Sequence, residues 1–472
     1  MSRRVILYEL NEVPWYIIDY YTERRPASAL STLLSSATSL TTLCEDPEPL
    51  QPWRTWPDFH NSAYTPEHQS YDLGQDPASF RGIPMWRAAE EADKVIGLFG
   101  PFQSWPAREP SSGGFYVPDT FARSSETVPA ELGRFQAFNL AMTQDNTFNP
   151  EGQLSPLELL RVGTDLVRLG LTARSASAIA WHLVSELRDS RAKASRSVMQ
   201  ALPSFDLYWK LHRDYAPDLS IFFTNHVAGM MHRYWGDGVP EYESSSQYRA
   251  DPVFATFLVK AMDVFDHQLA RILTWMRHRP DVLLIVASSM GQFAIDKEDV
   301  DETYVLDKPD ALMTKLGTSQ AQVGSAMYPR TSFLFESQAE AQAAVQGVES
   351  VVTDGGPLFG EVRVVGRTLS FAIDQQSWGR PRTHAVTYRM VGEDRERDGH
   401  IHEIGVSIRR RMGGGNTAYH VPEGIFIAHG TGIKADKSRR EVSVLDAAPS
   451  ILEAMNVPIP EVYAGKASIS LC

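Results

Sequence analysis

The strongest constraint on the fold is a pair of apolar runs, at residues 219–223 and 282–286, separated by an amphipathic helical pattern at about 251–278. A third run lies near the start of the chain, at 5–8. Continuous apolar runs are typical of parallel strands that are covered on both faces. Strand, helix and strand in this order form a βαβ unit, which places the strands in one parallel sheet. The chain therefore predicts an α/β fold with a mostly parallel central sheet and helices on both faces.

The length of 472 residues favours one large domain with insertions, or two domains. We expect the α/β core to be built from residues 1–110, 216–300 and 400–472. Residues 111–215 predict a mostly helical insertion, because apolar positions recur there with few strand signals. Residues 301–399 show a mixed pattern and predict an α+β insertion or cap.

Composition excludes several classes of protein. The formal net charge of −13 argues against non-specific binding to nucleic acid or to an anionic membrane surface. No window approaches the roughly 18 uncharged apolar residues of a membrane span, and the run at 5–8 is too short for the core of a signal peptide. Two cysteines provide no disulfide framework. We expect a cytoplasmic protein, and its oligomeric state stays open.

Polar side chains follow the predicted strands closely. Taken alone, an Asn or Ser after a strand is usually a helix N-cap, and a single His is usually a satisfied surface or core residue. Together they indicate a site, because the carboxyl ends of parallel strands meet at one edge of the sheet. The residues concerned are Glu9, Asn11, Glu12, Asn225, His226, Ser288, Ser289 and His420.

A second feature is the stretch at 52–57, in which Arg54 and Thr55 lie between tryptophans and prolines. Such a stretch predicts a turn that holds Thr55 in place, or simply a loop anchored by tryptophan. His400 and His402 would share one face of an extended segment, although a solvated loop is the more economical interpretation.

Taken in order, several segments resemble the alkaline phosphatase superfamily, particularly its phosphodiesterase and nucleotide pyrophosphatase-like branch. The resemblance runs from residue 4 to about 467, with a gap over the helical middle. Its last two segments are the most specific. The segments are VILYELN at 5–11, WRT at 53–55 with PEH at 66–68, the helix and strand at 85–99, FFTNHVAGMMHRYW at 222–235, VASSMG at 286–291, YHVPEGIFIA at 419–428 and VLDAAPSIL at 444–452. The resemblance implies a three-layer α/β sandwich with inserted cap segments.

The departures from the family pattern concern the metal ligands. The family carries Asp where this chain has Asn11, and Asp-His where it has Ser289 and Met290. Two divalent ions about 4 Å apart need several carboxylates, and a thioether is a poor ligand for such ions. The resemblance therefore implies loss of the second metal. It leaves one zinc or manganese ion held by Asn225 or His226, with His232 and His420.

The resemblance implies a phosphoric-ester hydrolase or a phosphoryl- or ester-transfer enzyme with at most one metal, acting on a small phosphorylated or sulfated substrate. Thr55 would be the nucleophile, Glu9 or Glu12 the base, and Arg54 would stabilise developing charge. Binding of the substrate would fall to Asn11, His60 and Ser289. Two alternatives stay open: a catalytically silent protein that binds a phosphorylated ligand, and metal-independent chemistry in the same cleft.

Overall fold

The computed structural model describes residues 3–148, 156–240, 242, 248–296, 302–318, 320–324, 326, 330–373, 384–410 and 415–471. The strands are β1 (Arg4–Leu10), β2 (Thr38–Leu43), β3 (Ile96–Phe99), β4 (Gly114–Val117), β5 (Leu219–Thr224), β6 (Val282–Ala287), β7 (Gly291–Ala294), β8 (Glu302–Leu306), β9 (Gln322–Gly324), β10 (Arg330–Leu334), β11 (Val352–Thr353), β12 (Gly356–Pro357), β13 (Phe359–Val365), β14 (Thr368–Ile373), β15 (Ala385–Arg389), β16 (Glu396–His400), β17 (Val406–Arg410), β18 (Ala418–Val421), β19 (Glu423–Gly430) and β20 (Glu441–Ser443). The helices are α1 (Trp15–Arg24), α2 (Ala29–Ser36), α3 (Pro52–Asn61), α4 (Thr65–His68), α5 (Met85–Glu91), α6 (Gly133–Phe148), α7 (Pro156–Leu169), α8 (Ala173–Arg188), α9 (Arg196–Tyr215), α10 (Ala228–Gly238), α11 (Phe257–Met276), α12 (Pro309–Leu316), α13 (Gln338–Glu349) and α14 (Ala447–Ala454).

The central sheet has eight strands in the order β20-β2-β19-β6-β1-β5-β3-β4. Strand β1 lies in the middle and pairs in parallel with both β5 and β6. Strand β19 is antiparallel to both of its neighbours, β2 and β6. The predicted βαβ unit is present as β5, α11 and β6, and the prediction of a mostly parallel sheet is confirmed.

Both faces of the sheet are covered, because side chains alternate along each strand. From β1, Tyr8 and Leu10 enter a core that contains residues of α1, α9, α10 and α11. Val5 and Leu7 enter the opposite core, which contains residues of α3, α5 and α14. These two cores and the sheet between them make the three layers predicted from the sequence.

The segment from β8 to β17 has its own apolar core, which includes Phe333 and Phe371. Two antiparallel four-stranded sheets lie in it, in the orders β13-β14-β10-β9 and β12-β11-β15-β16. Among the described residues, no helix is both long and apolar enough to cross a bilayer.

The stretch around Thr55 forms a helix, so the prediction of a turn or loop was wrong there. Pro52 occupies the first turn of α3, where its missing N–H costs nothing. Pro57 lies further inside and leaves the carbonyl of Trp53 without its helical donor. The Ser70 hydroxyl donates to that carbonyl at 3.0 Å, which explains how the helix continues through a second proline.

Candidate active site

The candidate site lies just beyond the carboxyl end of β1, the central strand. Asn11 and Glu12 follow the strand directly and are 1% and 2% exposed. Glu12 has a backbone φ of 60°, a left-handed conformation that is uncommon for a residue with a side chain. Such backbone strain concentrates at functional sites, where the surrounding structure holds it in place.

The Glu12 carboxylate collects four nitrogen atoms. Its Oε1 accepts from Asn11 Nδ2 at 2.8 Å. Its Oε2 lies 3.0 Å from His232 Nε2 and 3.4 Å from His420 Nε2, and it accepts from Gln292 Nε2. Burial acts to raise the pKa of Glu12, but His420 and His232 hold that pKa well below its usual value of 4.5. This lowering requires positive charge beside the carboxylate, from protons or a metal ion on the two rings.

The far nitrogen of each of these two histidines determines what the near nitrogen can do. His232 Nδ1 lies 3.0 Å from the Ala418 carbonyl, and His420 Nδ1 lies 2.9 Å from the Leu50 carbonyl. A carbonyl oxygen only accepts, so each Nδ1 carries a hydrogen. In the neutral ring, Nε2 then presents a lone pair, and both lone pairs converge on the Glu12 carboxylate.

This donor set fits one divalent metal ion. The ligand atoms of Glu12, His232 and His420 all lie within 4.8 Å of one another. Zinc binds imidazole nitrogen and carboxylate oxygen, and it leaves a position open in catalytic sites with three protein ligands. Ligating histidines donate their other ring N–H to a carbonyl or carboxylate, as both rings do here.

Proximity alone would also allow a second metal group, made of Asp46, Asp58 and His68. The hydrogen bonds of His68 argue against metal binding by this group. The Ser70 backbone N–H donates to His68 Nδ1 at 3.0 Å, so the proton lies on Nε2, which donates to Asp58 Oδ1 at 2.8 Å. Burial lowers the pKa of His68 to about 4. In this hydrogen-bonded group, no lone pair of His68 is directed at the centre.

Two of the residues predicted as ligands behave differently from one another. Asn225 is exposed, and its Oδ1 accepts from Asn11 Nδ2 at 2.7 Å, so it adjoins the site. His226 is turned into the core. Its Nδ1 lies 2.7 Å from Thr224 Oγ1 and its Nε2 lies 3.1 Å from the Ala261 carbonyl. Both ring nitrogens are occupied by internal bonds, so the structure does not bring His226 to the site; Glu12 lies beside His232 and His420 instead.

The residues predicted to carry the reaction are all buried. Thr55 and Ser289 are both 0% exposed, and Thr55 Oγ1 lies 2.8 Å from Ser289 Oγ. Arg54 donates Nε to the Tyr71 carbonyl at 2.9 Å and Nη1 to the Pro49 carbonyl at 3.0 Å. The structure thus joins Thr55 to Ser289, as expected of a common site, and commits Arg54 to backbone carbonyls.

Glu9, Asn11 and two side chains of α3 form paired contacts between strand and helix. Glu9 Oε1 lies 2.6 Å from His60 Nε2, and both residues are 0% exposed. Burial raises the pKa of Glu9, and the neighbouring His60 offsets part of that rise. Trp56 Nε1 donates to Asn11 Oδ1 at 2.8 Å. Trp56 and His60 are one helical turn apart, and Asn11 and Glu9 are two residues apart along the chain. Trp56 therefore contacts Asn11 while His60 contacts Glu9.

Sequence reasoning missed Gln292, which is fully buried and donates to both Glu12 and the Ala228 carbonyl. Gln292 stands opposite His420 in the antiparallel ladder of β7 and β18. Nothing local in the sequence marks that pairing. The one available signal was its position directly after the segment at 286–291 that the sequence analysis singled out.

This chain was compared with protein-family models, curated proteins and solved structures. No protein-family model and no curated protein matches this chain. Solved structures do match it.

The matching structures number 193 chains. Three are of ectonucleotide pyrophosphatase / phosphodiesterase 5: the murine protein as an inactive variant in complex with AMP, the murine protein, and the human protein. Each is 11% identical to this chain, with TM-scores of 0.42, 0.41 and 0.42. The alignments cover 97%, 97% and 98% of this chain and 96%, 96% and 97% of the other chains, respectively. The assignment of site residues rests on the geometry of this chain.

Proposed function

We propose that this protein is a phosphoric-ester hydrolase or phosphoryl-transfer enzyme that uses one divalent metal ion, zinc or manganese, held by Glu12, His232 and His420. The observation that carries the proposal is the convergence of two Nε2 atoms, which carry lone pairs when the rings are neutral, on the buried Glu12 carboxylate. Such an arrangement is repulsive unless a cation or added protons compensate it. The substrate would be a small phosphorylated or sulfated molecule.

When bound, the metal would act as a Lewis acid toward a phosphoryl or sulfuryl oxygen. The residues of the chain orient that group. Glu12 supplies the negative charge of the ligand set, and Asn11 holds its Oε1 at 2.8 Å. Asn11 also fixes the Oδ1 of exposed Asn225, which leaves the Nδ2 hydrogens of Asn225 for an oxygen of the substrate. Thr55, paired with Ser289, is the candidate nucleophile.

The first test is elemental analysis of the protein purified without a histidine tag and without chelator. We expect about one zinc or manganese ion per chain, since the three ligands make one site. His420→Ala and His232→Ala should each lose the ion. His402→Ala is the matched control, because His402 is exposed and lies outside this ligand group. Absence of metal from the native protein, with no uptake on titration, would sink the single-metal site.

A second candidate function is binding without turnover. It is favoured by the complete burial of Thr55 and by the commitment of Arg54 to backbone carbonyls. The discriminating measurement is hydrolysis of p-nitrophenyl esters, with a phosphodiester, a phosphomonoester and a sulfate ester tested in turn. An enzyme should lose turnover on Thr55→Ala while keeping its metal. A metal-loaded native protein that turns over none of the three favours the binding function.

A further inference from the structure

Helix α8 presents its apolar side to solvent. Its buried residues are polar: Ser175, His182 and Glu186. Its exposed residues include Trp181 at 66% and Leu187 at 88% exposure. An amphipathic helix on the surface of a globular protein normally does the reverse, with the apolar stripe toward the core. The apolar face that α8 exposes is therefore a candidate binding surface.

Polar contacts fix this orientation and oppose rotation of α8 about its own axis. Glu186 accepts from Arg196 Nε at 2.8 Å and from Arg196 Nη2 at 2.6 Å. His182 Nδ1 lies 3.2 Å from Lys260 Nζ on α11. Turning the apolar face inward would break a buried ion pair and leave charges without partners, which costs several kcal/mol.

The exposed apolar side chains follow one another along the helix. Positions 181, 184 and 187 succeed one another at helical spacing, so their side chains share one face. Val184 is 39% exposed and the flanking Leu183 is 41% exposed. Together these residues form the surface that we call the α8 face.

The charge around the α8 face is basic, although the whole chain is acidic with a formal net charge of −13. Arg168, Arg174 and Arg188 are exposed, and the Arg188 guanidinium lies 5.4 Å from the centre of the Trp181 ring. Two acids of the same stretch are paired instead with arginines: Asp165 with Arg134 and Asp189 with Arg191. The described side chains at this surface therefore combine apolar area with uncompensated positive charge.

We propose that the α8 face docks this protein on an anionic phospholipid surface. An interfacial helix of this kind places Trp and Leu into the boundary of headgroups and acyl chains, while arginines contact lipid phosphates. A second copy of this chain fits the surface less well, because self-association would bring Arg168, Arg174 and Arg188 against a like-charged patch. Docking would hold the protein at a membrane surface without a spanning helix, and it is independent of the reaction proposed above.

The test is flotation of the full-length protein with vesicles of phosphatidylcholine alone and of phosphatidylcholine mixed with phosphatidylglycerol. Native protein should float with the mixed vesicles, and rising salt should weaken this binding, since basic residues contribute to it. Leu187→Asp should weaken binding by at least about ten-fold, because it places a carboxylate where an apolar side chain enters the interface. Arg188→Glu should reduce binding to the mixed vesicles in particular.

Val462→Asp is the matched control, since Val462 is 62% exposed and lies outside the α8 face. All the changed residues are exposed, so unchanged melting temperatures are expected. Failure of native protein to float with the mixed vesicles would overturn the proposal, as would equal loss in Val462→Asp. A stable dimer in light scattering that Leu187→Asp dissociates would assign the α8 face to a second copy and also overturn it.

Discussion

Four histidines show how the partner of one ring nitrogen sets the role of the other. His232 and His420 give their Nδ1 hydrogens to backbone carbonyls and keep Nε2 lone pairs for a ligand. His68 accepts at Nδ1 and must donate from Nε2. His226 uses both nitrogens inside the core. Since the same side chain serves three purposes here, the presence of a histidine near a strand end says little by itself.

The assignment of His226 to the core makes a prediction about stability and pH. Burial lowers the pKa of His226 to about 4, against the usual value of 6.5. A depressed pKa in the folded state means that the unfolded state binds more protons between these two values. The stability is therefore fully present above about pH 6.5 and is lost as pH falls toward about pH 4, by a few kcal/mol in all.

We expect His226→Gln to flatten this dependence by about one proton, because glutamine does not titrate. Other buried histidines, such as His212 with a pKa lowered to about 3 by burial, would leave the remainder. The measurement is the free energy of urea unfolding across the range from about pH 7 to about pH 4. The metal content should not change in this variant. Loss of metal in His226→Gln would return His226 to the ligand set.

At the scale of elements, α3 and β1 hold each other through polar contacts within an otherwise apolar core. The Trp56 indole meets Asn11 and the His60 ring meets Glu9, all four side chains being almost wholly buried. Because Asn11 also donates to Glu12, the position of α3 is transmitted to the candidate ligand carboxylate. Asn11 is therefore better described as a positioning residue than as a contact to the substrate alone.

Replacing Trp56 with Phe tests this coupling. The change removes the indole N–H and leaves the buried Asn11 Oδ1 without its donor, which should cost about 1–3 kcal/mol of unfolding free energy. We also expect metal affinity to fall by about ten-fold, since residues that orient a ligand influence binding by that order. Trp181→Phe is the control, because Trp181 is 66% exposed. Lower stability with unchanged metal affinity would show that α3 supports the fold only.

For the molecule as a whole, ion pairs join the segment from β8 to β17 to the loop that follows α4. Arg330 Nε lies 2.8 Å from Asp72 Oδ1, with side chains only 10% and 4% exposed, although the N–H is not aligned as a hydrogen bond. Ser370 Oγ donates to the other oxygen of Asp72 at 2.5 Å. Arg367 and Asp76 form a further pair at 2.8 Å.

These contacts predict that removing a buried arginine lowers the free energy of unfolding more than removing an exposed one. Arg330→Leu removes the guanidinium paired with the buried Asp72 carboxylate, and we expect a loss of about 3–5 kcal/mol. Arg389→Leu breaks a pair with Glu396 that is 49% and 61% exposed, and it should cost no more than about 1 kcal/mol. Thermal and urea unfolding of both variants measures the difference. Equal effects would indicate that Asp72 is hydrated in solution.

The fold was accessible from the sequence because its information is local. Runs of apolar residues at 5–8, 219–223 and 282–286 can only be buried as central strands, and they lie in β1, β5 and β6. The helix predicted at about 251–278 is α11 with the short turn before it. Several of the polar residues after these strands lie together at one edge of the sheet, since parallel strands carry their carboxyl ends to one side.

Other features depended on contacts between distant parts of the chain. The carbonyl that orients His232 is 186 residues away, and the one that orients His420 is 370 residues away. No periodicity reports such contacts, so the sequence alone could not show that Glu12 lies beside His232 and His420 while His226 lies in the core, nor find Gln292.

The helical pattern predicted within residues 111–215 likewise did not show which face of α8 would be buried. The sequence determined which segments are strands and helices and where polar residues gather, because those depend on hydrophobicity along the chain. Only the tertiary structure decided which of those residues meet, and in which protonation state, because that depends on hydrogen-bond partners supplied from far along the chain.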